Sequence, residues 1–197
     1  MVHLRSILSK YIPVDEFRAI HSHLPDFLKP VVMTAYLSGM RAGEIINLTW
    51  SQVDLEEGTL DLSGDDTKTD EPRIIYLASL PELRLVFVKA KLRKKKSQKL
   101  VFIKPDGKPI PGWAIRQPFL KACELAGVGP YRFHDTRHSF NTNMIKAGVS
   151  KTSIMKLTGH KTLSMFLRYS HLDKEQSESA MQSLGEFLSS QRWQVNG

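Results

Sequence analysis

YRFHDTRHSFNTNMIKAGVSKTSIMKLTGHKTLSMFLRYSH, residues Tyr131 to His171, concentrates imidazole, guanidinium and hydroxyl side chains at spacings that chemistry on a phosphate requires. His134 and Arg137 stand three apart at the expected start of a helix, so they share a face and aim at one spot. Backbone N–H groups at that terminus add to the pull on an anion. Phe140, Met144 and Ala147 then give an apolar stripe at helical spacing, Gly148 ends it, and Ser150 caps a second short helix carrying Ile154 and Leu157. Gly159 closes that helix and leaves His160 at a loop edge. Nine residues later comes Tyr169, near Arg168 and His171, on a segment whose Leu163, Phe166 and Leu167 are expected to pack it against the same body. Two histidines, an arginine and a tyrosine are thereby expected to converge on one pocket.

A second block, SGMRAGEIINLTWSQVDL from Ser38 to Leu55, follows a helical stripe of Val31, Val32, Ala35 and Tyr36 that ends at Gly39. The next helix opens at Met40-Arg41, so Arg41 is expected at a helix N-terminus beside a glycine turn, offering guanidinium and backbone donors to one anion. From Gln52 to Leu77 the apolar period changes to two: Val53 and Leu55, Leu60 and Leu62, then Ile74, Ile75 and Leu77. Glu57-Gly58 and Gly64-Asp65-Asp66 mark the turns of a small antiparallel sheet. Lys68, in DDTKTDEPRIIYL, falls at its tip, where a long side chain can swing into a cleft.

A phosphodiester is already an anion, and the pentavalent transition state of attack on it carries more negative charge, so preorganised cations are the main catalytic requirement. Arg41 and Arg137 suit this, since each guanidinium is a planar fork that stays protonated. Tyr169 is the candidate nucleophile, although at a reference pKa near 10 only about one tyrosine in a thousand is phenolate at pH 7, a deficit of about 4 kcal/mol. His134 is the candidate base, and His160 a further hydrogen-bond donor.

The set His134-x-x-Arg137, Gly159-His160 and Tyr169, with Arg41 upstream and Lys68 between, resembles the signature of the tyrosine recombinase (phage integrase) family. The resemblance spans roughly residues 14 to 172. It implies an α+β fold: a mostly helical catalytic domain with a small three-stranded antiparallel sheet at one edge. It implies a site-specific recombinase or integrase acting on double-stranded DNA through a 3′-phosphotyrosine intermediate, with Lys68 as the general acid for the leaving 5′ oxygen. The phosphotyrosine stores the bond energy, so no cofactor, ATP or metal is expected. Self-association as a dimer or tetramer on DNA is implied as well. A non-catalytic DNA-binding protein on the same fold is the alternative, and it should have lost one or more of the six polar residues.

The histidines His134, His138, His160 and His171 raise the question of a metal site, but there is no HExxH, no paired cysteine and no carboxylate at ligand spacing. The chain has 197 residues, a formal net charge of +8 and one cysteine, Cys123, which excludes an intrachain disulfide and fits a reducing cytoplasm or nucleoid. Cys123 reads as a small buried hydrophobe. No apolar run reaches the length of a membrane span, and MVHLRSILSKY is too short in apolar residues for a signal peptide.

Three parts are expected: residues 1–12 as a linker or tail, 13–172 as the catalytic domain, and 173–197 as a tail helix. Family members usually carry a separate DNA-clamping domain upstream; the chain reads either as a catalytic-domain piece or as a short member, the former being the expectation. Val14-Asp15-Glu16 starts a helix with Phe17 and Ile20 on one face. Pro81 to Leu92 is amphipathic with Leu83, Val86, Phe87 and Ala90 inward, and runs into KAKLRKKKSQK. There Lys89, Lys91, Arg93, Lys94, Lys95 and Lys96 are either a solvated surface or contacts to a phosphate backbone. Leu100 to Ile103 reads as a short strand, Pro105-Asp106-Gly107 as a turn, and Pro118 as the first turn of a helix through Ala126 with Phe119, Ala122 and Leu125 inward. Trp113 is assigned to core packing in preference to stacking on DNA. In the tail, Met181, Leu184, Phe187 and Leu188 form a narrow apolar stripe that is expected to reach a neighbouring protomer or else to cover its own domain.

Overall fold

The computed structural model describes residues 10–62 and 72–159, together with residues 181, 182, 184 and 186. The chain divides into two units, Met1–Lys161 and Thr162–Gly197. In the first, the order is α1 (Val14–Ser22), α2 (Lys29–Ser38), α3 (Ala42–Ile46), a 3-10 turn at Trp50–Gln52, β1 (Val53–Asp54), β2 (Thr59–Asp61), β3 (Ile74–Tyr76), α4 (Pro81–Leu92), α5 (Trp113–Leu125), α6 (Asp135–Lys146) and α7 (Lys151–Thr158). The sheet has the order β1-β2-β3 and is antiparallel throughout, with Val53 opposite Leu60 and Leu60 opposite Ile75. The expected α+β architecture, mostly helical with one small three-stranded sheet, is the one found.

Helix α2 is the centre of the body. Val31, Val32, Thr34, Ala35, Tyr36 and Ser38 are all buried, so the helix is enclosed on more than one side. Val31 and Ala35 join a core with Leu60, Ile75, Leu83, Phe87 and Ile115, where the sheet, α4 and α5 meet. Val32 and Tyr36 join a second core with Ile12, Phe17, Ile20, Phe119 and Cys123. The Phe17 and Tyr36 rings stack at 3.7 Å between centroids. As expected, Phe17 and Ile20 are buried on α1, Leu83 and Phe87 on α4, and the lone thiol of Cys123 is 2% exposed.

Four local expectations are corrected. Leu100 to Ile103 form no strand; they make isolated bridges only, Thr49 to Leu100 and Ile103 to Pro109. Helix α5 begins at Trp113, so Pro118 lies inside it and not in its first turn. The Pro111 carbonyl accepts the Ala114 N–H at 2.9 Å, so the chain is already turning before the proline arrives, at the loss of one internal hydrogen bond. This earlier start sets the inward face to Ile115, Phe119, Ala122 and Cys123, and Leu125 is 55% exposed. Trp113 is 81% exposed and packs in no core.

Helix α6 departs furthest from its expected stripe. Phe140 and Met144 are only half-buried and Ala147 is exposed; the buried face is Asp135, Thr136, Arg137, Ser139, Asn141, Thr142 and Ile145. Several of these polar groups bind backbone, and the neighbouring Asn143 binds a side chain. Ser139 Oγ accepts the Ile12 N–H at 2.8 Å, Asp135 accepts the N–H of Lys10 at 3.2 Å and of Arg132 at 2.7 Å, and Asn143 accepts the Tyr11 hydroxyl at 3.0 Å. The extended segment Lys10 to Ile12 is thus laid along α6 by side chains, satisfying main-chain groups that no sheet reaches.

In the second unit, residues 181, 182, 184 and 186 are helical, and Met181 and Leu184 are exposed. Among the described residues no helix is long and apolar enough to cross a membrane.

Candidate active site

Helix α2 ends at Gly39, whose left-handed φ of 67° reverses the chain. A Cβ on Gly39 would lie 2.5 Å from Cδ1 of Phe140, so the turn rests directly on α6. Two residues later Arg41, with φ −75° and ψ 153°, forms the N-cap of α3, as expected. The backbone donor there is not open to an anion, however: the Arg41 N–H donates to Glu44 Oε2 at 2.8 Å. The same carboxylate lies 3.9 Å from the Arg41 guanidinium. Burial lowers the pKa of Arg41, Glu44 partly offsets this and the charge of Arg73 adds to it, though a guanidinium so shifted still stays charged at neutral pH.

Arg137, in the first turn of α6, is 3% exposed. Its Nη1 donates to the Gly39 carbonyl at 2.6 Å and its Nη2 to the Thr158 carbonyl at 2.6 Å. One guanidinium therefore ties the turn before Arg41 to the end of α7, where Gly159, with φ 70°, stops the helix just before His160. The cap of α7 is the expected one, Ser150 Oγ accepting the Ser153 N–H at 3.1 Å.

His134 is the N-cap of α6. The residue is exposed, yet partial desolvation of its ring, then the positive charge of Arg137, lowers its pKa from the ordinary imidazole value; Asp135 opposes the shift and Arg41 adds to it. Arg41, brought from the start of α3, and Arg137, from α6, thus both lie within electrostatic reach of His134. Lys68, His160 and Tyr169 lie outside the described residues.

Two charged residues belong to this neighbourhood that the sequence pattern did not single out. Glu44 sits three residues after Arg41, the spacing of a helix-capping carboxylate, and that spacing was legible. Arg73 has no such signal: it is 6% exposed, and its Nη2 donates to Glu44 Oε1 at 2.9 Å and Oε2 at 2.7 Å across 29 residues of chain.

Of the basic run, Lys89 and Lys91 fall on the last turns of α4 and Arg93, Lys94, Lys95 and Lys96 follow it; all but the half-buried Lys94 are exposed. Lys91 Nζ stands 5.0 Å above the Trp50 ring. Among the described residues no three His, Cys, Asp or Glu side chains cluster at metal-ligating distance.

Residues 10–176 match the family model described as the phage integrase family. The chain is 31% identical over 156 residues to the tyrosine recombinase XerC of Lactobacillus leichmannii, covering 75% of this chain and 51% of that protein. It is 25% identical over 174 residues to the integrase of Salmonella phage P22, covering 83% and 44%. The chain thus spans about half the length of the curated relatives it matches. Among solved structures, the XerA recombinase superposes with a TM-score of 0.70 at 22% identity, covering 96% of this chain and 68% of that one. The Tn1549 transposon integrase in complex with circular intermediate DNA gives 0.75 at 16% identity, covering 91% and 68%.

Proposed function

The chain belongs to the phage integrase family, and on that footing we propose that it cleaves and rejoins double-stranded DNA at specific sites through a 3′-phosphotyrosine intermediate. The observation that carries this reading is the Arg137 guanidinium bound at once to the Gly39 and Thr158 carbonyls. It draws the turn bearing Arg41 and the helix end preceding His160 to one buried cation, the arrangement that a phosphate with two non-bridging oxygens would use.

In this reading the Tyr169 oxygen attacks phosphorus and the bond from phosphorus to the 5′ oxygen breaks. His134, whose pKa lies below the ordinary imidazole value of 6.5, takes the tyrosine proton. Lys68 gives a proton to the departing 5′ oxygen, which leaves as a hydroxyl. Arg41, Arg137 and His160 hold the charge that gathers on the non-bridging oxygens. Attack by a 5′-hydroxyl on the phosphotyrosine reverses each bond change and rejoins the strand, with no external energy source.

The exposed Lys89, Lys91, Arg93, Lys95 and Lys96, with Lys94, supply phosphate-backbone contacts that raise affinity without reading sequence. The segment from Asp173 onward docks on a neighbouring protomer, which ties cleavage to assembly of a dimer or tetramer on DNA. Such a protein works in the cytoplasm, at the nucleoid.

A DNA duplex nicked just beyond the cleavage point traps the covalent adduct on a denaturing gel. The expected result is an adduct with the wild-type chain and none with Tyr169→Phe, whose DNA binding remains. Adduct in the variant would remove Tyr169 as nucleophile, and binding without adduct in either form would leave a non-catalytic DNA-binding protein.

A further inference from the structure

We propose that Arg73 is a positioning residue for Arg41, holding the Glu44 carboxylate off the Arg41 guanidinium so that this guanidinium can meet a phosphate. The inference rests on the strand-cleavage reading above for its functional meaning, though not for its geometry.

Glu44 is shared unequally between two cations. Both of its oxygens accept from Arg73 Nη2, at 2.9 and 2.7 Å, whereas the guanidinium of Arg41 approaches no closer than 3.9 Å. Toward Arg41 the carboxylate makes its short contact with the backbone N–H instead, at 2.8 Å. An acid three residues beyond an arginine on a helix is well placed to close on it directly, and a two-point arginine–carboxylate pair engages the same planar fork that a phosphate's oxygens would take. A glutamate at this position is thus useful as a cap and harmful as a competitor for the phosphate.

Burial makes the distinction strong. The Arg73 side chain is 3% exposed, Glu44 11% and Arg41 30%, so water does little to screen the three groups from one another. Arg73 is also fixed by main chain: its carbonyl accepts the Leu62 N–H at 2.9 Å, one residue before β3 begins at Ile74. The sheet therefore sets where the Arg73 charge stands, and that charge sets where the Glu44 carboxylate stands. If Arg73 loses its charge, Glu44 is left shielded, with Arg41 the one cation within reach among the described residues. It should then swing onto the Arg41 guanidinium, since an unpaired buried carboxylate is costly.

The test uses the full chain in four forms: wild type, Arg73→Met, Arg73→Lys, and the double variant Arg73→Met with Glu44→Gln. The glutamine keeps an acceptor for the Arg41 N–H but removes the competing charge. Two readouts are taken, a crystal structure of each variant and the rate of covalent adduct formation on nicked DNA, with circular dichroism to confirm folding. In Arg73→Met the distance from Glu44 oxygen to Arg41 Nη should shorten to about 2.8 Å, a direct ion pair, and the adduct rate should fall at least about tenfold. Arg73→Lys, which keeps the charge, and the double variant, which removes the competitor, should both stay within about fivefold of wild type. A purely structural role predicts no such rescue.

If Glu44 in Arg73→Met stays beyond about 3.5 Å from the Arg41 guanidinium, or if the double variant is as slow as the single one, the proposal is overturned. Should Arg73→Met fail to fold, the other two variants decide the matter: a loss of about a hundredfold in either, with native circular dichroism, overturns it. A wild-type chain that forms no adduct would sink the strand-cleavage reading alone, and the crystallographic distance would still decide the role of Arg73.

Discussion

Arg137 and Gly39, 98 residues apart in the chain, meet in a 2.6 Å hydrogen bond from the guanidinium Nη1 to the glycine carbonyl. With the matching bond to Thr158, this makes Arg137 a strut as well as a catalytic candidate, so its two roles should come apart in different substitutions. Arg137→Ala leaves two carbonyls facing a cavity and should cost about 3 kcal/mol in urea unfolding. Arg137→Lys keeps the charge but not the fork, and should lose about half as much stability while adduct formation falls about a hundredfold. Equal activity in Arg137→Lys and wild type would leave Arg137 a structural residue only.

Gly39 is constrained twice, by its φ of 67° and by the 2.5 Å approach of Phe140 to its missing Cβ. Gly39→Ala should destabilise by about 3 kcal/mol, part from left-handed strain and part from the ring. Adding Phe140→Leu should restore the steric part, so the double variant should be more stable than the sum of the two single losses. Strict additivity in denaturant melts would show that the ring is not what Gly39 accommodates.

His134 should titrate below the ordinary value of 6.5, since desolvation and the neighbouring arginines outweigh Asp135. Between its folded pKa and 6.5 the unfolded chain holds the extra proton, so this residue's contribution to stability is fully present above 6.5 and is lost as pH falls toward the folded value. Adduct formation should follow the same order, holding at pH 7 and failing on an acid limb centred below 6.5 that His134→Gln abolishes. An NMR titration midpoint above 6.5, or an unchanged limb in the variant, would contradict the assignment of His134 as base.

The proposed role of Lys68, protonating the leaving group, is separable from that of a phosphate clamp. Lys68→Ala should be slow on ordinary DNA, by about a hundredfold, and close to wild type when the bridging 5′ oxygen is replaced by sulfur, whose low pKa as a leaving thiol needs no acid. Equal defects on both substrates would move Lys68 to another role.

The parts of the fold that could be read from sequence are those where apolar residues recur with the period of the element. Phe17 and Ile20, Val31 through Tyr36, and Leu83 with Phe87 repeat every three or four residues, and each lies where that period places it. Helix α6 defeats the same rule because its inner face carries Thr136, Ser139, Asn141 and Thr142, whose partners include the backbone of a distant segment. Pro118 misled for a related reason: a helix start is favoured by proline but not defined by it, and the turn at Pro111 had already begun one. Within the site, Arg41, His134 and Arg137 stood out by chemical type and local spacing. Arg73 did not, because its place depends on a pairing with Glu44 that only the folded sheet creates.

Cys123 gives the molecule a practical property. It is the only thiol in the chain, it is 2% exposed, and burial pushes its pKa upward, so little of it is thiolate at neutral pH. The native chain should therefore stay dark to maleimide dyes while folded. A cysteine placed at the exposed position of Trp113 or Lys96 would then carry a single fluorophore, with the unaltered protein as its own blank. Protomers labelled in this way would report, one molecule at a time, whether they gather on DNA.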